Sequence, residues 1–381
     1  KEMIGIRLNF NKRYITLAPI STVIGIAFKL SDPDHLIGSK TEIGITVALV
    51  PSLLAGVEIG KRHSPMGLAF MNGPIIGKNV FIPISFVIGG EKMLGQGWGM
   101  LMECLSVGRG ISLPAVSAAQ AQLAYRMTGA YSVLREQFHQ AVAHFEGVAA
   151  ALARIAGLTY LIEATRRFTV TAVDASLKPA LASSIAKYHM TEFARTIVND
   201  AMDIHGGRGI QMGPRNYLAQ GYIAIPISIT VEGANILTRN LILFGQGAVR
   251  CHPYLRDEMD AITKKDMVSL DKLLIEHFSY SFKNLLKTFS FAFGLGHFFV
   301  DTPIKELSYY YRQISRLSAA LALVTDFTLI ILGGSLKRKE RLSARLGDVL
   351  SYLYMASSVV RYVQDYPSSE EDRVYAQWGL D

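Results

Sequence analysis

Ala186-Lys-Tyr-His-Met-Thr-Glu-Phe-Ala-Arg-Thr-Ile-Val-Asn-Asp-Ala-Met-Asp-Ile204 is the stretch that decides the class of fold. Its apolar positions Ala186, Met190, Phe193, Ala194, Ile197, Ala201 and Ile204 recur at steps of three or four. Lys187, Glu192, Arg195, Asn199 and Asp203 fall between them, the spacing of an amphipathic helix with one wet face. His205-Gly-Gly-Arg-Gly209 follows at once. Gly206 and Gly207 can end the helix, since glycine takes positive φ without a Cβ clash. Exposed backbone N–H groups there, with Arg208, could hold a phosphate oxygen, although a plain cap and turn explains the same residues.

Outward from this helix the chain divides into three expected regions. Residues 1–95 read as β-structure, with short runs Ile4–Phe10, Tyr14–Thr16, Ser21–Leu30, Ile43–Val50 and Asn79–Ile84. Asn11-Lys12 and Asp32-Pro-Asp34 punctuate them, which predicts a small antiparallel sheet or barrel. Gly95-Gln-Gly-Trp-Gly99 is a joint. Residues 96–250 are mostly helical, and the Ala- and Leu-rich Phe145–Leu161 should pack on several sides of a bundle. Residues 251–381 read as a further helical region around Leu270–Leu286, Ile314–Leu332 and Arg341–Tyr362. In the last of these, Leu342, Leu346, Val349, Leu350, Leu353 and Val360 form an apolar stripe.

Composition narrows the class. With 39 Lys and Arg against 31 Asp and Glu, the net charge is +8, and half of the 381 residues are apolar. Disorder is excluded. Two cysteines, Cys104 and Cys251, are too few for a disulfide framework and fit a reducing compartment. The apolar run Leu321–Gly334 holds Asp326 and falls short of the roughly twenty residues of a membrane span, so a buried helix is expected. Nine scattered histidines show no metal-binding spacing, and no metal is expected. The basic run Lys337-Arg-Lys-Glu-Arg341 reads as a solvated helix face, with anionic lipid its second use; nucleic acid is not expected.

Glu232 stands out, in Ile225-Pro-Ile-Ser-Ile-Thr-Val-Glu-Gly-Ala234. A carboxylate among apolar residues suits a general base, because desolvation disfavours its charged form. The same residue equally suits the N-terminal end of a following helix at Asn235–Phe244. Arg109 lies between glycines in Ser106–Gly110 and Arg135 opens Arg135-Glu-Gln-Phe138; the local pattern leaves both as ordinary surface arginines.

Taken in order, the Arg135 segment, the Gly206-Gly207 turn and the Glu232-Gly233 pair resemble the flavin-dependent acyl-CoA dehydrogenases, over about residues 1–250. Through Gly333–Gly347 the resemblance extends to the long bacterial fatty-acid form with an added C-terminal helical region. It implies an α+β, mostly α fold: a middle β-domain, a C-terminal four-helix bundle and the additional helices, with the family's N-terminal helical domain missing before Lys1. It implies an oxidoreductase with FAD that converts saturated acyl-CoA to trans-2-enoyl-CoA in fatty-acid β-oxidation, Glu232 taking the α proton. Tyr14 and Thr16 match residues beside the flavin. Arg135, Phe138, Gly206, Gly207 and Gly209 match the segments that hold the cofactor across a subunit interface, and Arg109 and Gly233 match the acyl-CoA site. Asp203, Val231 and Ala234 depart from the family's usual glutamine, aromatic and threonine. A homo-oligomer, an electron-transfer flavoprotein as partner, and a cytoplasmic place with contact to the inner membrane face follow as expectations. The alternatives are a non-catalytic or membrane-peripheral scaffold of the same fold, and an acyl-CoA oxidase.

Overall fold

The computed structural model describes residues 3–177, 179–366 and 369–381, in two compact units, Lys1–Leu105 and Ser106–Asp381. In the first unit β1 (Gly5–Thr16), β5 (Asn72–Pro83) and β4 (Val57–Ile59) form one antiparallel sheet in the order β1-β5-β4. A second sheet pairs β2 (Val23–Ser31) with β3 (Glu42–Pro51). Alternation explains the packing: Ile6 and Leu8, Ile26 and Leu30, Ala48 and Val50, and Val80 and Ile82 all point into one core. Asn11-Lys12 does not break β1, contrary to the expectation. The strand continues through two register shifts, at Leu8/Phe10 and Lys12/Ile15, which absorb the extra residues as bulges.

Helix α1 (Gly97–Leu134) begins the helical part, and a short hairpin of β6 (Glu136–Gln137) and β7 (Gln140–Ala141) follows. Then come α2 (Glu146–Asp174), α3 (Ala180–His205), α4 (Gly207–Ile210), α5 (Ala219–Thr230) and α6 (Asn235–Leu237), which runs into a π-helical segment at Thr238–Gln246. The chain ends with α7 (Gly247–Cys251), α8 (Leu255–Lys264), α9 (Met267–Ala292), α10 (Ser308–Leu332), α11 (Glu340–Asp365) and α12 (Glu370–Leu380).

One core joins several of these helices. Ala118, Ala121 and Ala124 of α1, Ile155 and Ile162 of α2, Ala186, Met190, Ile197 and Ala201 of α3, and Met355, Val359 and Val363 of α11 belong to a single buried cluster. Small residues on α1 and α3 let the helices approach closely, while branched residues fill the space between them. The region after residue 250 therefore shares the core of the bundle that precedes it. α2 is buried on several sides, as its alanine and leucine content suggests: Ile155 to Leu158 are all buried in succession.

One expectation holds in part and one fails. The apolar stripe of α11 is buried at Leu346 and Val360, whereas Leu342 and Val349 are exposed. Ser343, Ser351 and Ser358 are buried instead, and Ser351 and Ser358 donate to the carbonyls of Gly347 and Tyr354 one turn back. A hydroxyl satisfied within its own helix can be buried at little cost, which hydropathy does not register. α10 is likewise not a buried helix: Ile330 and Ile331 are 79% and 75% exposed, and Phe327 is exposed too. The segment Lys305–Arg338 and helix α2 are both long and apolar enough to cross a membrane by length and composition, and α2 supplies core residues.

Two buried histidines set an expectation for stability. Burial pushes His189 and His205 down to about 4 from an ordinary 6.5, with Asp348 partly opposing at His189 and Arg208 adding to the fall at His205. A base with a depressed folded pKa contributes fully above its unfolded value, and the contribution is lost as pH falls from there toward the folded one. The unfolding free energy of the FAD-loaded protein, read from denaturant titrations, should fall between pH 7 and pH 5 by on the order of 1–3 kcal/mol. His189→Leu should flatten part of that slope, because its Nε2 has no partner to lose.

Candidate functional site

The Glu232-Gly233 turn lies between α5 and α6, and α3 holds it from beneath. Glu232 has φ 53° and Gly233 φ 97°, so the chain makes a left-handed reversal here. Glycine adopts this freely and glutamate does so only at a cost of about 1 kcal/mol or more. The reversal swings the Glu232 side chain outward, where it is exposed. The apolar surroundings expected from the sequence do not enclose it: Ile225 is buried on the inner face of α5.

The neighbours of the turn are cations. Lys187 of α3 has no solvent exposure, although its spacing placed it on the wet face. Its Nζ donates to the Ile229 carbonyl (3.0 Å), the Gly233 carbonyl (2.8 Å) and Asn235 Oδ1 (2.7 Å). Burial pushes the ammonium down to about 8, Arg109 adds to the fall, and Glu232 and Glu192 oppose it. Asn235 is fixed in turn, its Nδ2 donating to Thr191 Oγ1 (2.9 Å) and Glu192 Oε1 (2.8 Å). Arg109 of α1 lies on the other side, with Nη2 3.4 Å from where a Cβ on Gly233 would stand. Its Nη1 donates to Ser184 Oγ at 3.3 Å, its buried Nε has no protein acceptor, and burial lowers its pKa against the pull of Glu232. The structure thus brings Arg109, Glu232 and Gly233 together and adds Lys187, Asn235 and Thr238. A lone lysine inside a run of Ser, Ala and Tyr was the only sequence sign of Lys187, and it is a weak one.

A second group forms at the far end of α1 and α3. Lys187 and His205 are 18 residues apart on α3, a rise of about 27 Å. Tyr131 stacks on His205 with centroids 4.1 Å apart, and Arg208 sits 5.6 Å over the Tyr131 ring. One turn beyond Tyr131, Arg135 opens the hairpin; its N–H donates to the Tyr131 carbonyl at 2.8 Å. Phe138 and His139 occupy the tip with φ 51° and 64°, a primed turn that usually takes Asn-Gly, and Phe138 is 86% exposed. Gly206, Gly207 and Gly209 are in and around α4. A Cβ on Gly209 would meet the Met202 carbonyl at 2.8 Å, so this position admits only glycine. Arg135, Phe138 and the three glycines therefore share one end of the bundle, away from Glu232. Tyr14 and Thr16 belong to the first unit, at the end of β1. Tyr14 is exposed, has φ 56° and lies 5.4 Å from the His63 ring.

This chemistry fits FAD. A cavity of about 430 Å³ beside Gly206–Gly209 is lined by Arg208 and Arg215 with uncharged residues and no carboxylate, a donor set for a pyrophosphate. Exposed aromatic faces at Phe138 and Tyr14 suit flat rings.

His252, His277 and Asp326 bring ligand-type atoms within 4.8 Å of one another, which no spacing foretold. With Glu258 of α8, which bonds His277 Nδ1 at 2.8 Å, they make a hydrogen-bonded knot joining the turn before α8 with α8, α9 and α10. His252 Nδ1 accepts the N–H of Tyr254 and Leu255 at 3.2 Å, so Nε2 carries the proton and donates to Asp326 Oδ1 at 2.8 Å. Burial raises the Asp326 pKa, but bonds from His252, Ser281 and His277 outweigh it and hold the carboxyl low.

The chain is similar to known proteins over most of its length. The family described as "Acyl-CoA dehydrogenase, C-terminal domain" matches residues 95–245, and "Acyl-CoA dehydrogenase, C-terminal, bacterial type" matches 249–381. A stretch of 104 residues is 59% identical to "Protein HemX" of Proteus mirabilis, covering 27% of this chain and 61% of that one. The "3-(aryl)acrylate reductase" of Clostridium sporogenes is 35% identical over 207 residues, covering 53% and 51%. "Probable acyl-CoA dehydrogenase FadE10" of Mycobacterium tuberculosis is 26% identical over 329 residues, covering 83% of this chain and 49% of that one. The chain thus spans about half to three fifths of the length of these relatives. Among solved structures, the FAD complex of an acyl-CoA dehydrogenase from Bacillus anthracis superposes with a TM-score of 0.73 at 19% identity, covering 99% of this chain and 62% of that one.

Gly233→Ala should destabilise the second unit by about 1–2 kcal/mol, because the left-handed backbone penalises any Cβ. Equilibrium unfolding of wild type and variant measures it, and an unchanged midpoint would mean that the turn is not held in this conformation.

Proposed function

The chain belongs to the acyl-CoA dehydrogenase family, whose cofactor is FAD, and we propose that the protein oxidises a saturated fatty acyl-CoA across its α and β carbons with Glu232 as base. The observation that carries this reading is the left-handed Glu232-Gly233 turn, which holds a carboxylate outward beside Arg109 at a position whose backbone favours other residues. Gly233 leaves room at the carboxylate for a thioester, and Arg109, with donors to spare, would line the acyl-CoA side. The α proton of a thioester is weakly acidic. Its removal needs a base within hydrogen-bond reach, held so that little reorganisation accompanies the transfer. In the balanced reaction Glu232 gains the α proton, the β hydrogen departs with its electron pair, and the carbons join by a double bond.

FAD, when bound, supplies the two-electron acceptor for that β hydrogen. The residues that would hold it are Tyr14 and Thr16 in the first unit, for the ring system, and, in the second unit, Arg135, Phe138, Gly206, Gly207 and Gly209, for the pyrophosphate and adenine. Because the second set stands about 27 Å along α3 from the turn, the reading includes a homo-oligomer in which those residues serve a neighbour's cofactor. An electron-transfer flavoprotein would take the electrons onward. The oxidative direction rests on the likeness to FadE10, named a probable dehydrogenase, whereas the Clostridium relative is named for a reduction.

We place the protein in the cytoplasm with contact to an anionic membrane face. What supports this is the exposed apolar surface of α9 and α10, including Phe278, Phe282, Phe289, Ile330 and Ile331, beside exposed Lys337, Arg338, Lys339, Arg341 and Arg345. Cosedimentation with vesicles should rise with their anionic lipid content and fall with salt; equal recovery without vesicles would reject the contact.

Glu232→Gln should keep its flavin and lose acyl-CoA-driven anaerobic bleaching by at least roughly 10²-fold, the scale of a positioned base. Equal bleaching by both proteins would remove Glu232 from the role. Arg135→Ala should lower flavin retained per chain after gel filtration while the helical content stays; full occupancy would reject that assignment.

A further inference from the structure

We propose that Lys187 is a positioning residue for the base: its buried side chain fastens the Glu232-Gly233 turn to α3 and fixes where the carboxylate stands. This deepens the reading of Glu232 as the base and rests on it. An ammonium removed from water is strongly destabilising unless its charge and donors are met, and here each of its three protons has an acceptor within 3.0 Å. None of those acceptors is a carboxylate. Two are main-chain carbonyls on either side of Glu232, those of Ile229 and Gly233, and the third is Asn235, the first residue of the next helix. The bonds therefore straddle the catalytic residue in sequence and close the turn from below.

The grip extends along α3. Thr191, one turn on, donates to the Lys187 carbonyl at 2.8 Å and accepts from Asn235; Glu192 takes the second Asn235 bond. Three residues of one rigid helix thus hold the two ends of a four-residue reversal. A non-glycine residue with positive φ persists when its surroundings over-determine it, and this network supplies the determination. Lys187 has no bond to the Glu232 carboxylate, so it acts through the backbone and not on the proton.

The test uses the full-length, FAD-loaded protein. Lys187→Met, Glu232→Gln and the double variant are compared for flavin per chain, acyl-CoA affinity and the bleaching rate at saturating acyl-CoA. Lys187→Met should keep flavin and bind acyl-CoA within about threefold of wild type, but bleach at least about 30-fold more slowly, the scale of a misplaced group. In the Glu232→Gln background the same change should cost nothing more, because a residue that works only through Glu232 has nothing left to position. An equal further loss in the double variant would assign Lys187 a general structural role and overturn the proposal. So would a Lys187→Met rate within threefold of wild type. If Glu232→Gln bleaches normally, the base assignment fails instead, whatever Lys187→Met does. Should Lys187→Met lose its flavin, Lys187→Gln, which keeps a donor, is carried through the same comparison against the same outcomes.

Discussion

A charged amine without access to water must find its solvation in the protein, and Lys187 finds it in the loop that carries Glu232. Removing an ammonium from water is opposed by several kcal/mol unless good geometry compensates. With acceptors at 2.7, 2.8 and 3.0 Å, the loop is the compensation. The dependence runs both ways: the loop would relax without the lysine, and the lysine could not stay buried without the loop. Helix α5 gains as well, since a cation at its last turn meets the negative end of the helix dipole and the Ile229 carbonyl. The π-helical segment after α6 extends this irregular stretch, as such segments do near functional residues.

The rest of the helical unit supplies rigidity over distance. α1 and α3 are long enough to present one group of residues near their starts and another near their ends, with a continuous apolar core between. The distal group is built from rings and cations: Tyr131 on His205, Arg208 over Tyr131 and Tyr217, and a hydrogen bond between Tyr217 and His205. Its hairpin tip exposes Phe138 on backbone that disfavours it. His205 is buried and Tyr217 packs against the core, whereas Phe138 stands outside it.

Much of this was legible beforehand, for reasons that differ by residue. The apolar rhythm of residues 186–204 located α3 because burial enforces its period, and Gly206-Gly207 marked its end because few other residues turn so sharply. The order of short segments gave the family. Lys187 was hidden, because spacing alone cannot tell a solvated lysine from one whose partners arrive forty residues later. Ser351 and Ser358 of α11 are hidden for a related reason, as a hydroxyl bonded to its own helix behaves as a small apolar group. Uncharged neighbours single out Glu232, yet the sequence gives no sign that the backbone turns left-handed there and presents the side chain outward. The knot of His252, His277, Glu258 and Asp326 gathers residues from three helices and has no local signature at all.

The left-handed conformation at residue 232 carries a consequence for how this protein can change over generations. Asparagine or glycine would sit more comfortably on that backbone than glutamate does. Drift toward a sturdier chain therefore pulls this position away from glutamate, and only a demand for its carboxylate pulls back. Glutamate here is a residue kept against the preference of its own main chain, and in descendants released from that demand it should be among the first to go.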